Sequence, residues 1–400
     1  MRRYRVAARL AAAAQRAGAI VASDPRLREF NRLMLKVPEH TWGCASGCAG
    51  DYTNAQLDNP AYSCHPGAAQ YNATVGSWTD QSDYIEAAVA ALAGVEPLHG
   101  DVVAALAASE PSAPTAAGMA PFDVASGPVA TVGGALVQFN ASGCITKLSG
   151  GGGQAWADTS HPLGLLRYAT HSEAELAAFA SAYTLEACRD ACGNCAFSKC
   201  GLNKAGAESG HHVPTVAGAW ADAAAGRFLF NLTWGAAAAE LTGKYGAPLY
   251  ATLEVTLAAV ASSGGGSAVV LNVTFDLQWW EKRSTRMAES VWMTFNPLVA
   301  DGSGHEGWQM DKLDKWVDPL AVVTNGSKTM HAVWSGVRHR VAATGVTDVL
   351  IASLDAPVVM PGDSLAPAGA FNQGDSGEPH PERGWSFNLF NNVRASPGRA

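Results

Sequence analysis

Charge is scarce in this chain: only 16% of its 400 residues are Asp, Glu, Lys or Arg, and 27 basic side chains face 35 acidic ones. The net charge of -8 is spread along the sequence, so no basic stripe of the kind that binds nucleic acid is present, and no nucleic-acid partner is expected. No apolar run approaches the ~18 residues of a membrane span, which argues against a membrane partner. No internal repeat is evident, which sets repeat architectures aside. A clean leader is also missing. Met1 to Arg5 gives a basic start before an Ala-rich stretch, but Arg9, Gln15 and Arg16 interrupt it and no cleavage site follows. Residues 1–18 therefore read as a helix, and the eight arginines from Arg2 to Arg32 read as its solvated face.

Cysteine, by contrast, is plentiful at eight residues. Cys44, Cys48 and Cys64 form one group, Cys144 stands alone, and Cys188, Cys192, Cys195 and Cys200 crowd together. Four sulfurs so close could hold zinc with His211 or His212 nearby, but their spacing matches no paired C-x-x-C ribbon, and disulfides are the preferred reading. Sequons stand at Asn72, Asn140, Asn231, Asn272 and Asn325. Strand phase puts Asn272 opposite Leu271, Val273 and Phe275, and Asn231 opposite Phe228, Phe230 and Leu232, hence on outward polar faces. Glycosylation candidates together with the cysteines suggest a secretory lumen or the extracellular space, with the true start upstream of Met1.

Between Leu33 and Gly43 an apolar, strand-like run stops at Pro38 and delivers Glu39, His40 and Trp42 together. A carboxylate, an imidazole and an indole at a strand end suit a carbohydrate or metal site. A strand-to-loop corner with a buried Trp is the plainer alternative.

Organisation changes near residue 110. Before it, Tyr84, Ile85, Ala88, Val89 and Leu92 keep the 3.6-residue period of a helix face. Pro111, Pro114, Pro121 and Pro128 then mark a linker. Beyond it, a hairpin turning at Asn140 to Gly143 opens a series of alternating strands: 135–139, 144–148, 163–169, 227–234, 249–260, 268–280, 289–295, 329–341, 348–354 and 385–393. One helix interrupts them, begun by the capping box Ser172 with Glu175. The fold class expected is mainly β with α: an N-terminal helical or barrel-remnant segment, then a large antiparallel β-sandwich over residues 129–393. Aromatic rings stack on pyranose C–H groups while acids and amides fix hydroxyls, so Trp308, Asp311, Lys315, Trp316, Asp318, His331 and Trp334 are the candidates for sugar contact. The competing reading puts Trp316 and Trp334 in the core and makes Asp311 and Lys315 an i, i+4 pair on a short helix.

The corner Glu39-His40-Thr41-Trp42-Gly43, Ser77-Trp78-Thr79-Asp80-Gln81, Trp156 with His161-Pro162-Leu163-Gly164 and Arg167-Tyr168 carry a resemblance, as do Trp308 to Pro319, Ser353 to Pro357 and Trp385 to Asn392. Over nearly its whole length the chain resembles an uncharacterised group of large proteins related to the class II α-mannosidases, glycoside hydrolase family 38. The resemblance implies a barrel tail over 1–45, a helical-bundle segment over 46–110, a linker over 111–128 and a galactose-mutarotase-like sandwich over 129–400. It implies retaining, zinc-dependent hydrolysis with carbohydrate as the partner. His40, with Gly43 behind it, matches the family's last zinc ligand, although the accompanying His-Asp is missing here. The early strands that carry the other ligands and the nucleophile do not precede it, and His99-Gly100-Asp101 follows a helix instead. A retaining glycosidase needs two carboxyls about 5 Å apart. The catalytic residues are therefore unknown, no zinc is expected in this chain alone, and the chain by itself is expected to be inactive. The expectation is a fragment of a mannosidase-like enzyme, truncated at its C-terminal end too, or alternatively a non-catalytic carbohydrate-binding sandwich.

Overall fold

The computed structural model describes residues 2–38, 68–150, 153–183, 202–261, 269–283, 285, 287–299, 306–313, 315–322, 330–341, 344, 347–362 and 380–392. Helices α1 (Arg2–Arg16), α2 (Pro25–Met34), α3 (Ala69–Ala91) and α4 (Leu98–Ala108) form a first layer. Asp24 caps α2, its carboxylate accepting from the Arg26 amide at 2.8 Å, and Pro25 supplies a helix-ready φ at the first position. Leu27, Phe30, Met34, Ile85, Ala88, Val89, Leu92, Val102 and Leu106 close this layer's core. The helical period read from Tyr84 to Leu92 holds, and α3 begins earlier, at Ala69.

The strand expected before Pro38 is corrected: Leu33 and Met34 complete α2, and Leu35 to Pro38 form a turn. Met34 follows Leu27 and Phe30 at helical spacing and is buried with them, so tertiary burial of that face decides the conformation.

Arg2, Arg5 and Arg9 do not form the solvated face expected of them. Arg5 is only 2% exposed. Its guanidinium donates to the Leu354 carbonyl at 3.2 Å, Arg9 donates to the Trp334 carbonyl at 3.1 Å, and Arg2 pairs with Asp355 at 2.6 Å. Both Arg5 and Arg9 lie over the Trp334 ring, 5.8 and 5.9 Å from its centre. One face of α1 is thus an arginine-rich docking surface, since a guanidinium satisfies carbonyls and an aromatic face together.

Nineteen strands are described: β1 (Ala120–Pro121), β2 (Val129–Ala130), β3 (Leu136–Phe139), β4 (Ile145–Ser149), β5 (Ala155–Ala157) and β6 (Leu163–Thr170) come first. Helix α5 (Glu173–Tyr183) follows, then β7 (Gly210–His212), β8 (Thr215–Asp222), β9 (Arg227–Thr233), β10 (Tyr250–Ala261), β11 (Val269–Trp280) and β12 (Glu289–Phe295). Last are β13 (Trp308–Lys312), β14 (Lys315–Val317), β15 (His331–Ala332), β16 (Gly336–Arg340), β17 (Thr347–Ala352), β18 (Val358–Pro361) and β19 (Trp385–Asn391).

The order β1-β8-β9-β10-β11 makes a five-stranded sheet, and β15-β18-β19-β12-β6-β4-β3-β2, with β5 and β7 at its side, makes a ten-stranded one. The strand pairings described are antiparallel. Val137, Phe139, Leu166, Tyr168, Val291 and Met293 of the larger sheet meet Phe228, Phe230, Leu232, Leu253 and Val255 of the smaller in one core. Full burial of each such side chain contributes roughly 1.5–3 kcal/mol. The chain is mainly β with α, as the alternation foretold. Leu271 to Trp279 is strand throughout.

Refinements follow from local chemistry. A third, four-stranded sheet, β14-β13-β16-β17, packs Trp308, Met310 and Val337 against Val359, Trp385 and Phe387, so the region beyond the linker is a two-sheet sandwich with an added sheet. The expected strand 329–341 is split, because the Trp334 and Ser335 amides turn aside to bond Asp311. The short helix that the competing reading placed from Asp311 to Lys315 is a hairpin, with Leu313 at φ 55° in its turn and Asp311 opposite Trp316.

Candidate functional site

Glu39, His40, Trp42, Cys188, Cys192, Cys195, Cys200 and Asn325 lie outside the described residues. The other candidates fall around the hairpin of β13 and β14. Trp308 is 3% exposed, packed 5.6 Å from the Trp385 ring and 5.4 Å from His339, so it is core. Asp311 is buried; its carboxylate accepts from the Ser335 hydroxyl and amide, and its carbonyl accepts from the Trp334 amide at 3.0 Å. His331 is buried at the edge strand β15. Trp316 lies under the Arg338 guanidinium at 4.1 Å, and Trp334 is bracketed by Arg5 and Arg9. Lys315 and Asp318 are exposed, and Asp318 caps the Leu320 amide at 2.8 Å.

The structure thus gathers Asp311, Trp316 and Trp334 about one strand, but their faces are taken by arginines and backbone. Burial, aided by the charge of Arg9, lowers Arg5 to about 10, which still leaves it cationic at neutral pH. This cluster ties α1 to the segments flanking the third sheet.

A second polar cluster escaped sequence reasoning. Trp292 Nε1 donates to Ser290 Oγ at 2.8 Å, Ser290 Oγ stands 2.9 Å from His171 Nε2, and His171 Nδ1 stands 3.1 Å from Glu175 Oε1. Because a carboxylate only accepts, Nδ1 carries a proton, and in the neutral ring Nε2 is then the acceptor of the Ser290 hydroxyl. The polarity matches a serine–histidine–carboxylate relay. However, Ser290 is fully buried and its oxygen already receives the Trp292 indole, so no side is open for a carbonyl substrate. The capping box forms only in part: the Glu175 amide donates to Ser172 Oγ at 3.2 Å, while the Glu175 carboxylate turns to His171 and accepts from Ser209 at 2.6 Å. Burial tends to raise the Glu175 carboxyl, but the bonds from His171 and Ser209 outweigh it and hold it below its ordinary value.

The outer face of the five-stranded sheet is the third polar assembly. Trp220, Asn231, Thr252, Glu254, Gln278, Trp280 and Tyr250 share it, and Tyr250 stacks with Trp280 at 6.1 Å. Asn231 and Asn272 occupy the polar phase assigned to them, and Asn272 and Asn72 are exposed. Asn140 is half-buried, its amide oxygen accepting from Ser142 at 2.9 Å within the hairpin. A signal for this face was present: Trp280 falls in phase with Gln278, on the polar side, whereas Trp279 falls on the apolar side.

A family model described as a domain of unknown function, DUF5054, matches residues 1–262. The chain belongs to this family. The match runs through α1 to α4, the linker and the strands up to β10, so the DUF5054 region holds most of the five-stranded sheet. No curated protein matches the chain. Among the described residues no group of three or more His, Cys, Asp or Glu could hold a metal ion, and His40, which the mannosidase resemblance matches to a zinc ligand, lies outside them. His99 and Asp101 stand in α4, not in a loop, with His99 Nδ1 3.3 Å from Glu96.

Proposed function

We propose that this chain is the carbohydrate-recognising part of a mannosidase-like glycoside hydrolase. The observation that carries the reading is the order of layers from α3 onward: helices, a Pro-rich linker and then a two-sheet antiparallel sandwich, which accords with the bundle, linker and sandwich that the mannosidase resemblance implies, while 1–45, expected as a barrel tail, holds α1 and α2. Part of the residues quoted for that resemblance fall on these elements, with Trp78 in α3, Trp156 and Tyr168 in the ten-stranded sheet and Trp385 in β19, while Trp308 to Lys312 lie in the added third sheet. On this reading the sandwich holds sugar and contributes no nucleophile of its own. A secretory or extracellular setting, glycan-modified at exposed sequons such as Asn72 and Asn272, accords with it.

An array of immobilised neutral glycans tests this. The full chain is expected to be retained on mannose-containing glycans and to release no phenol from an aryl α-mannoside. Absence of retention on every glycan would contradict it, and so would turnover of the aryl mannoside.

A further inference from the structure

One row of side chains crosses four strands on the outer face of the five-stranded sheet. Gly218 of β8 pairs with Asn231 of β9, Asn231 with Thr252 of β10, and Thr252 with Gln278 of β11. The row also carries two indoles. Trp220 folds back over Gly218 so closely that a Cβ on the glycine would stand 2.7 Å from its ring, and Trp280 Nε1 donates to Thr252 Oγ1 at 3.4 Å. Neighbouring strands lie about 4.8 Å apart, so the row spans roughly 14 Å.

Two acceptors in the row have no partner. Asn231 Oδ1 and Gln278 Oε1 are buried and unbonded. A buried carbonyl left unpaired costs about 1–3 kcal/mol, so such an atom calls for an explanation. Around Asn231 the sheet and the linker enclose a cleft of about 190 Å3, walled by Pro114, Ala116, Trp220, Leu229 and Thr252. That is below the roughly 300–1,000 Å3 of pockets for drug-sized ligands, which suits one ring rather than a long chain.

We infer that this row is a binding site for a neutral pyranoside, a use that rests on the carbohydrate reading above. A sugar hydroxyl is the donor that Asn231 Oδ1 lacks in the cleft wall, and the Trp220 face takes the C–H side of the ring. Charge selects for neutrality: Glu254 and Asp276 occupy the next row, and Arg227 is committed to Glu254 at 2.9 Å. The Asn231 sequon gives the competing occupant, a glycan attached to Asn231 itself.

The test uses the full chain carrying 5-fluorotryptophan, with the 19F signals of Trp220 and Trp280 assigned through Trp220→Phe and Trp280→Phe. Methyl α-mannopyranoside, methyl β-galactopyranoside and the anion glucuronate are the probes. At least one neutral glycoside should move the Trp220 signal saturably, and more than the Trp280 signal, while glucuronate moves neither, and Asn231→Ala should weaken the response about tenfold, as loss of one hydrogen bond and its packing predicts. Gly218→Val, which displaces the Trp220 ring without deleting it, should weaken it similarly. Silent signals with both glycosides overturn the site, as does an unchanged response in Asn231→Ala or a glycan found on Asn231 after expression in a glycosylating host. Array retention with silent signals condemns this row alone; moving signals without retention on mannose glycans support the row and condemn the mannosidase-like reading.

Discussion

Ser290 Oγ and His171 Nε2 lie 2.9 Å apart inside the ten-stranded sheet, one link in a hydrogen-bonded chain from Trp292 to Glu175. Ser290→Ala would strand both the Trp292 indole N–H and the His171 nitrogen. The expected loss is about 1–3 kcal/mol in urea denaturation, the penalty for buried polar groups without partners. A loss within error would mean the chain of bonds is energetically idle.

Acid should act on this region in two stages. Partial desolvation, with nearby Arg167 and His171, lowers His211, which keeps an exposed face, and partial burial lowers His212; Glu175 is held low by its partners. Each is depressed on folding, so each contributes stability above its unfolded pKa and loses it as pH falls through the folded value. The histidine part should fade below about 6.5 and the carboxylate part below about 4.3. The thermal midpoint should drop in both windows, and His211→Gln with His212→Gln should remove the upper step. A midpoint constant from pH 7.5 to 5 in the unaltered chain would contradict this.

Gly164 sits at the bulge of β6 with φ 75°, and a Cβ there would stand 2.3 Å from the Phe275 ring of the opposite sheet. Gly164→Ala adds a left-handed conformation to an overpacked core and should cost at least about 2 kcal/mol. Gly118→Ala, with φ +79° and open space around it, meets only the backbone part. Equal losses in the two variants would show that the Phe275 contact does not matter.

Trp334 should hold α1 in place. In Trp334→Ala, amides of α1 are expected to exchange hydrogen faster, since both Arg5 and Arg9 lose their ring. The exposed Arg16→Ala should leave exchange unchanged. Unaltered exchange in Trp334→Ala would show that the bracket is dispensable.

Burial pushes the Cys144 thiol up to about 11, and the side chain is 1% exposed. Its peptide should therefore stay unalkylated after iodoacetamide at pH 8 on the folded chain and become labelled in guanidinium. Rapid labelling of the native thiol would contradict the packing around it.

The strands were legible wherever one face meets the core and the other meets solvent, as in β9, β10 and β11, where alternation reports burial directly. The capping residue of α5 was legible for the same local reason. What the pattern concealed depends on tertiary partners. The arginines of α1 look like a solvated face until the bends next to β16 and β17 supply carbonyls and Trp334. Trp308 and Asp311 look like sugar contacts until Trp385 and Ser335 close over them. The short strands β13, β14 and β18 hold too few residues for a period to emerge. The row from Trp220 to Gln278 joins residues about sixty positions apart, which only the register brings together.

Calorimetric titration of α-mannobiose into the full chain tests the carbohydrate-recognising role most directly. The account predicts a single saturable binding event that is lost on heat unfolding of the sandwich and is insensitive to chelator. A flat heat trace across the titration, with the chain folded by circular dichroism, would contradict it.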